Sequence, residues 1–194
     1  MPSLSARLRD ATREEHVAAE TAFALDVRLA GREAYAGMLT DLRGFYVPAE
    51  AAVAAVAGWS RLTPSIEIRS RSRAALLDRD LKDLGIAVPC DGAQALPPAL
   101  PSLAHGLGSL YVLEGSALGG RVVARRARAA MGDDLPVAFF SSAGRHDLGA
   151  DWRALTAALD AFGVGRVAAR RAVVDAASAT FTALTAWLAE GRAR

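Results

Sequence analysis

A chain of 194 residues is long enough to enclose a ligand-sized cavity, and its single cysteine, Cys90, excludes an internal disulfide framework or a thiolate metal cage. The formal charge is only +2, from 23 basic and 21 acidic residues, so charge gives no reason to expect a nucleic-acid partner. Apolar runs such as 51–57 fall far short of the roughly 20 residues that cross a bilayer, and the amino end shows no signal-peptide core; a soluble, cytoplasmic protein with no membrane partner is expected.

Alanine and leucine dominate long segments that also carry Arg and Glu, and Gly and Pro cluster between them. This predicts an all-α chain, a single domain over residues 1–194. A capping stretch, Pro2 to Ser5, starts a first helix that runs to about Leu25, with Leu8, Thr12, His16, Ala19 and Phe23 on one face. Residues 26–31 connect it to a second helix from Arg32 to about Val47, which Pro48 kinks or restarts for a continuation through 57. A loop over 59–65 precedes a third helix from about 66 to 84, whose Arg69, Arg71, Arg73, Asp78, Arg79, Asp80, Lys82 and Asp83 are expected on a solvated face. Gly85 closes that helix, and 88–101, including a turn at Cys90, is an irregular linker. A central helix spans Ser102 to about Met131, and 132–149 is a loop carrying Phe139, Phe140 and His146. A short helix over 152–162, a break at 163–165 and a last helix over 166–189, with Phe181 and Trp187 inward, complete the chain.

Two places stand out chemically. In the central helix Gly115 and Gly119 share a face, with Gly120 beside them. Each costs roughly 1 kcal/mol against alanine in a helix interior. Such bare backbone admits either a second helix or a flat ligand at close range, and the spacing alone does not separate the two. The other place is His16, on the inward stripe of the first helix, with Glu20 one turn on. A carboxylate on the outer nitrogen fixes the tautomer and direction of a metal-ligating imidazole. The same pair also suits a core histidine or a surface ion pair. No phosphate loop, dinucleotide glycine fingerprint, His-Glu-x-x-His or Glu-x-x-His occurs, and three histidines in all leave a one-histidine site as the remaining metal option. A metal that accepts one protein ligand and brings its others along is most simply a haem iron. The run Arg121, Arg125, Arg126 and Arg128 is either a solvated face or a dock for an acidic partner.

The residues Leu8-Arg9-Asp10-Ala11-Thr12-Arg13-Glu14-Glu15-His16, with Glu20 following, resemble the proximal helix of the haem oxygenases. Gly108-Ser109-Leu110-Tyr111-Val112-Leu113-Glu114-Gly115-Ser116-Ala117-Leu118-Gly119-Gly120 resembles their distal helix in its bacterial form. The likeness continues through Gly44 to Glu50, Asp80 to Gly85, the Phe139-Phe140 loop, Trp152 and Phe181, and so covers essentially the whole chain. It points to the biliverdin-producing enzymes that accompany bacterial phytochromes.

The resemblance implies a multihelical fold with haem held between a proximal helix and a kinked, Gly-rich distal helix. It implies His16 as the iron ligand with Glu20 on its other nitrogen, and Gly115, Ser116, Gly119 and Gly120 as a roof that steers dioxygen toward one meso carbon. Arg9, Arg13, Tyr111 and Arg153 become candidates for the propionates, and Phe181 for contact with the ring. The implied reaction converts haem to biliverdin, carbon monoxide and ferrous iron. Its electrons come from an external ferredoxin, flavodoxin or reductase, for which the Arg121–Arg128 run is a candidate dock, and a bacteriophytochrome is the implied receiver of biliverdin. One residue departs from the mammalian pattern: Ser116 stands where those enzymes carry an aspartate, and a hydroxyl orients water without a carboxylate's basicity. The rival readings are a non-catalytic haem carrier, a cofactor-free or thiamin-degrading enzyme on the same fold, and a purely structural helical protein that tolerates loss of His16.

Overall fold

The computed structural model describes residues 2–88 and 92–191, so the turn expected at Cys90 lies outside them. The helices among the described residues are α1 (Leu4–Ala11), α2 (Arg13–Phe23), α3 (Leu25–Arg28), α4 (Arg32–Ala55), α5 (Ala74–Asp83), α6 (Leu103–Met131), α7 (Ala138–Ser141), α8 (Leu148–Phe162) and α9 (Val167–Gly191). No strand occurs among these residues.

The pair α6 and α9 forms the centre, and α2 lies along α9 beside α6. Gly108 is what lets the central pair cross closely: a Cβ there would run into the Val173 carbonyl and come within 2.9 Å of the Ala177 amide nitrogen. By length and mean hydropathy (1.3) α9 is apolar enough to cross a membrane, but in this fold it buries Val173, Ala177, Phe181, Trp187 and Leu188 in the shared core.

The expected first helix is two pieces, α1 and α2, and α3 occupies the first half of the expected connection. At Thr12 both the backbone N–H and the side-chain hydroxyl donate to the Leu8 carbonyl, each at 2.9 Å, and the residue leaves helical geometry at φ −104°, ψ 15°. A side chain that competes for its own backbone acceptor bends a helix in this way. The break lets α1 turn onto α8, where Asp160 accepts from the Ser5 amide (2.8 Å) and hydroxyl (3.0 Å), while α2 stays on α9. Ala24, at φ 46°, ends α2 before the expected Leu25.

Pro48 neither breaks nor restarts α4, which runs uninterrupted. Proline has no N–H to give the carbonyl four residues back, and that carbonyl, on Gly44, instead accepts from Ala95 at 2.9 Å. The linker after residue 91 is thereby tied to α4.

The expected third helix is only half helix. Glu50 accepts from the Ser72 hydroxyl (2.5 Å), the Arg73 amide (2.9 Å) and the Ala74 amide (3.1 Å), supplying partners to the open N–H groups that start α5 at Ala74. Residues 66–73 fold irregularly around a single 3-10 turn, Arg69–Arg71. Arg71, Arg73 and Asp80 do not face solvent as expected; they are 8%, 2% and 0% exposed. Likewise the expected loop over 132–149 contains α7 and the first turn of α8, which Asp147 caps by accepting from the Ala150 amide at 2.8 Å.

Asp80 is the cap of α7, accepting from the Ala138 and Phe139 amides at 2.7 and 2.8 Å. Burial pushes its carboxyl above the ordinary 3.8, against the pull of those two donors. Between the ordinary value and the raised one, the folded protein therefore holds a proton there that the unfolded chain has already released. The stability tied to this site is complete below the ordinary value and is lost as pH rises through the raised one. Carbon-13 titration of the carboxyl group is expected to place its midpoint above 3.8. A midpoint at or below that value would mean that the two N–H donors outweigh burial.

Candidate functional site

Between α2 and α6, with α9 as its floor, runs an open groove of about 360 Å³. Its walls are Arg9, Thr12, Arg13, His16 and Val17 on one side, Tyr111, Val112, Gly115, Ser116 and Leu118 on the other, Phe181 and Leu184 below, and Trp152 of α8 at one edge. Two larger cavities exist, of about 440 Å³ behind α6 and about 410 Å³ beside α7. Neither brings a histidine to its walls.

His16 sits on the inward stripe of α2, yet its side chain is 57% exposed because that stripe faces the groove at this height. Phe181 meets its ring edge-on, with centroids 5.7 Å apart at 76°. Nδ1 lies 3.7 Å from Glu20 Oε1, within ion-pair reach, and Nε2 has no protein partner among the described residues. No cluster of His, Cys, Asp and Glu that could hold a metal by itself occurs among them either.

Gly115, Gly119 and Gly120 of α6 divide. A Cβ on Gly115 would only touch the Trp152 ring at 3.7 Å, and one on Gly119 would meet nothing within 4 Å. Gly120 does not belong to this open face. It is buried, and a Cβ there would run into the Phe140 carbonyl oxygen and lie 3.2 Å from its carbon. One residue is a turn of about 100° on a helix, which moves Gly120 from the open face of Gly119 to the α7 contact. The same turn therefore carries one glycine with open space around it and one used in close packing.

Ser116 is fixed by a buried network. Its Oγ donates to the Leu113 carbonyl (2.6 Å), accepts from Arg73 Nη2 (2.7 Å) and shares a 2.6 Å hydrogen bond with the Tyr46 hydroxyl. The same Arg73 nitrogen donates to the Leu113 carbonyl at 2.8 Å, and the guanidinium stacks on Phe139 and Tyr46 at 4.7 and 5.2 Å from their ring centres. Its charge is met by neutral oxygens and aromatic faces, with no carboxylate partner among the described residues. Behind the same turn Glu114 is paired with Arg71 (2.8 Å) and Arg145 (2.7 Å). Burial works to lower Arg145, but Glu114 and then Asp151 hold it above its ordinary value.

At the mouth Arg9 and Arg13 are exposed and share Asp10, at 3.7 and 3.2 Å. Tyr111 is half-buried against Trp152, ring centres 5.1 Å apart, and burial pushes its phenol up. Arg153 is not at the groove. It lies 3.7 Å from Asp147 on the outer side of α8, and it is its neighbour Trp152 that lines the wall. Arg73, Tyr46, Arg71 and Arg145 carry no local sequence signal as site residues, since each reaches the distal turn only through the tertiary fold.

The groove thus offers one imidazole opposite a stretch of uncovered main chain, apolar walls, and cations with a phenol at the rim. That donor set suits a planar apolar ring carrying a metal and carboxylates. The chain matches the family model described as "Heme oxygenase" over residues 2–190. It is 50% identical over 58 residues to a heme oxygenase of Xanthomonas campestris pv. campestris (strain 8004), a stretch covering 30% of this chain and 33% of that relative. Among solved structures it is similar to the heme oxygenase of Neisseria meningitidis in its NO- and CO-bound forms, with a TM-score of 0.76, 21% identity, and coverage of 98% of this chain and 92% of the other. It is also similar to the heme oxygenase of Leptospira interrogans, with a TM-score of 0.76, 21% identity, and coverage of 97% and 100%. A third likeness is to heme oxygenase-1 of Synechocystis sp. PCC6803 in complex with heme, with a TM-score of 0.72, 19% identity, and coverage of 97% and 92%. At these identities the structures show the same fold, and the match of the family model over nearly the full length shows that the chain belongs to the haem oxygenase family.

Proposed function

We propose that this chain binds haem in the α2–α6 groove and cleaves it oxidatively to biliverdin, carbon monoxide and ferrous iron. The observation that carries this reading is that His16 and Gly115, whose open position only the Trp152 ring approaches, stand on opposite walls of one groove. Haem supplies the iron that takes dioxygen and the ring carbon that is oxidised. His16 gives Nε2 to the iron while Glu20 orients the ring from Nδ1. Arg9, Arg13 and Tyr111 take the propionates at the mouth by charge-assisted hydrogen bonds. Val17, Val112, Trp152, Phe181 and Leu184 exclude water from the ring faces.

On the distal wall Gly115 and Gly119 let the backbone approach the ring, leaving space for a diatomic ligand. Ser116 lacks a carboxylate's basicity, but Arg73 holds its oxygen still and places a positive charge one atom behind the roof. The 2.6 Å contact between Tyr46 and Ser116 adds to that hold from the side of α4. A haem carrier is disfavoured because α6 presents no second strong ligand opposite His16. The electron donor is external and acidic, a ferredoxin, flavodoxin or reductase, and docks at Arg121 and Arg125. Both are exposed without an ion pair among the described residues, next to the exposed Leu118 and Val122, whereas Arg126 is engaged with Asp26. The cytoplasm supplies such donors, and a bacteriophytochrome receives the bilin.

Titrating the purified protein with hemin is expected to produce the visible spectrum of a histidine-ligated haem. Adding ascorbate or a reductase system under air should then replace that spectrum with bilin absorption. Chromatography of the extract identifies the isomer. Haem that stays intact under reductant and dioxygen would establish a carrier instead.

A further inference from the structure

The distal turn has little to hold it from the groove side. Gly115 and Gly119 carry no side chain, and of the surrounding protein only Trp152 comes near the open position on Gly115. The hold comes from behind, from one short segment. Arg71 and Arg73, two residues apart in the irregular stretch before α5, both reach the turn 113–116: Arg71 grips Glu114, and Arg73 grips the Leu113 carbonyl and Ser116. Glu50 pins that segment to α4. Arg145 then meets Glu114 as a fork, Nη1 to Oε1 at 3.0 Å and Nη2 to Oε2 at 2.7 Å. The same guanidinium holds Asp151 through Nε at 3.0 Å and Nη2 at 2.6 Å. Asp151 immediately precedes Trp152, the residue that bounds the groove at its edge.

One buried carboxylate, 4% exposed, therefore indexes two walls at once. A forked guanidinium–carboxylate contact is directional, so it sets the rotation and height of a helix turn as well as attracting it. The charges balance within the cluster, two guanidinium groups against Glu114 and Asp151.

Resting on the haem oxygenase reading, we propose that Glu114 is a positioning residue: through Arg71 and Arg145 it sets the distal turn and Trp152 over the ring, and so determines which meso carbon is oxidised. Glu114 touches neither the groove nor a bound ring. It acts through the backbone of Gly115 and Ser116 and through the placement of Trp152.

The experiment compares Glu114→Gln with the wild type for hemin affinity, visible spectrum, single-turnover rate and the isomer composition of extracted biliverdin. The double variant Arg71→Met/Glu114→Leu accompanies it, because it leaves Arg145 balanced by Asp151 and replaces a buried pair by apolar side chains, a change that folds tolerate. Hemin affinity is expected to stay within about threefold of wild type, since His16 and the rim residues are untouched. Turnover is expected to fall roughly 10- to 100-fold, as for a small misplacement of a reacting centre, and isomers that are minor or absent in the wild-type product should become prominent. A folded variant with the wild-type isomer composition would overturn the proposal. So would failure of both variants to fold, because the cluster would then serve folding alone. The wild-type control separates the two claims: if wild-type protein does not convert hemin to a bilin, it is the enzymatic reading that falls.

Discussion

Replacing His16 with alanine is expected to remove the histidine-ligated haem spectrum and to lower turnover by more than the roughly 10- to 100-fold that loss of a merely supporting partner costs. The expectation rests on there being no substitute ligand. The other groove residues are arginines, hydroxyl groups and apolar side chains; the one that could ligate haem iron, the Tyr111 phenol, stands on the opposite wall with its ionisation opposed by burial. Exogenous imidazole can enter the space vacated in the open groove, and it should restore the spectrum and part of the activity. The fold should not suffer. The His16 side chain is more than half exposed, touching the edge of Phe181 and the distant Glu20 carboxylate, so apo stability is expected to change by no more than about 0.5 kcal/mol. Retention of the wild-type haem spectrum in His16→Ala would remove this residue from the iron. Glu20→Ala should keep the spectrum, because its 3.7 Å contact orients the ring without holding it in the groove.

Alanine at Gly119 and at Gly120 should act in opposite directions on stability, although the residues are adjacent. At Gly119 nothing lies within 4 Å of the new Cβ, so the substitution gains up to about 1 kcal/mol of helix propensity and should raise the apo melting temperature by roughly 2–4 °C. Turnover should nevertheless fall, by about tenfold or more, because the methyl group stands on the same face as Gly115, where the ring and its diatomic ligand must fit. At Gly120 the methyl group would run into the Phe140 carbonyl, which belongs to backbone and cannot swing aside. Overpacking of this kind costs about 1–3 kcal/mol, which exceeds the propensity gain. Thermal melts of the two apo variants decide the matter. If Gly119→Ala melts below wild type, or Gly120→Ala above it, the division of this face between ligand and packing is wrong.

Local pattern in the chain was enough to identify some of this protein. The helical period and the glycine and proline punctuation determined an all-α fold, and they placed α6 and α9 to within about two residues of their observed ends. His16 and the Gly115–Gly119 face were likewise legible, since a histidine on an apolar stripe and a Cβ-free stripe are properties of single helices. What the tertiary structure alone decided is which charges are solvated and which glycines are free. Arg71, Arg73 and Asp80 belong to a segment whose charge density predicts exposure, yet their partners lie 43, 43 and 58 positions away along the chain. A buried charge is sustained by groups brought to it by folding, and those groups leave no trace in the neighbouring sequence. The same holds at Gly44 and Pro48, where Ala95 takes the carbonyl that proline leaves without its usual partner. It holds again at Gly120, where only the approach of α7 distinguishes a packing glycine from an open one.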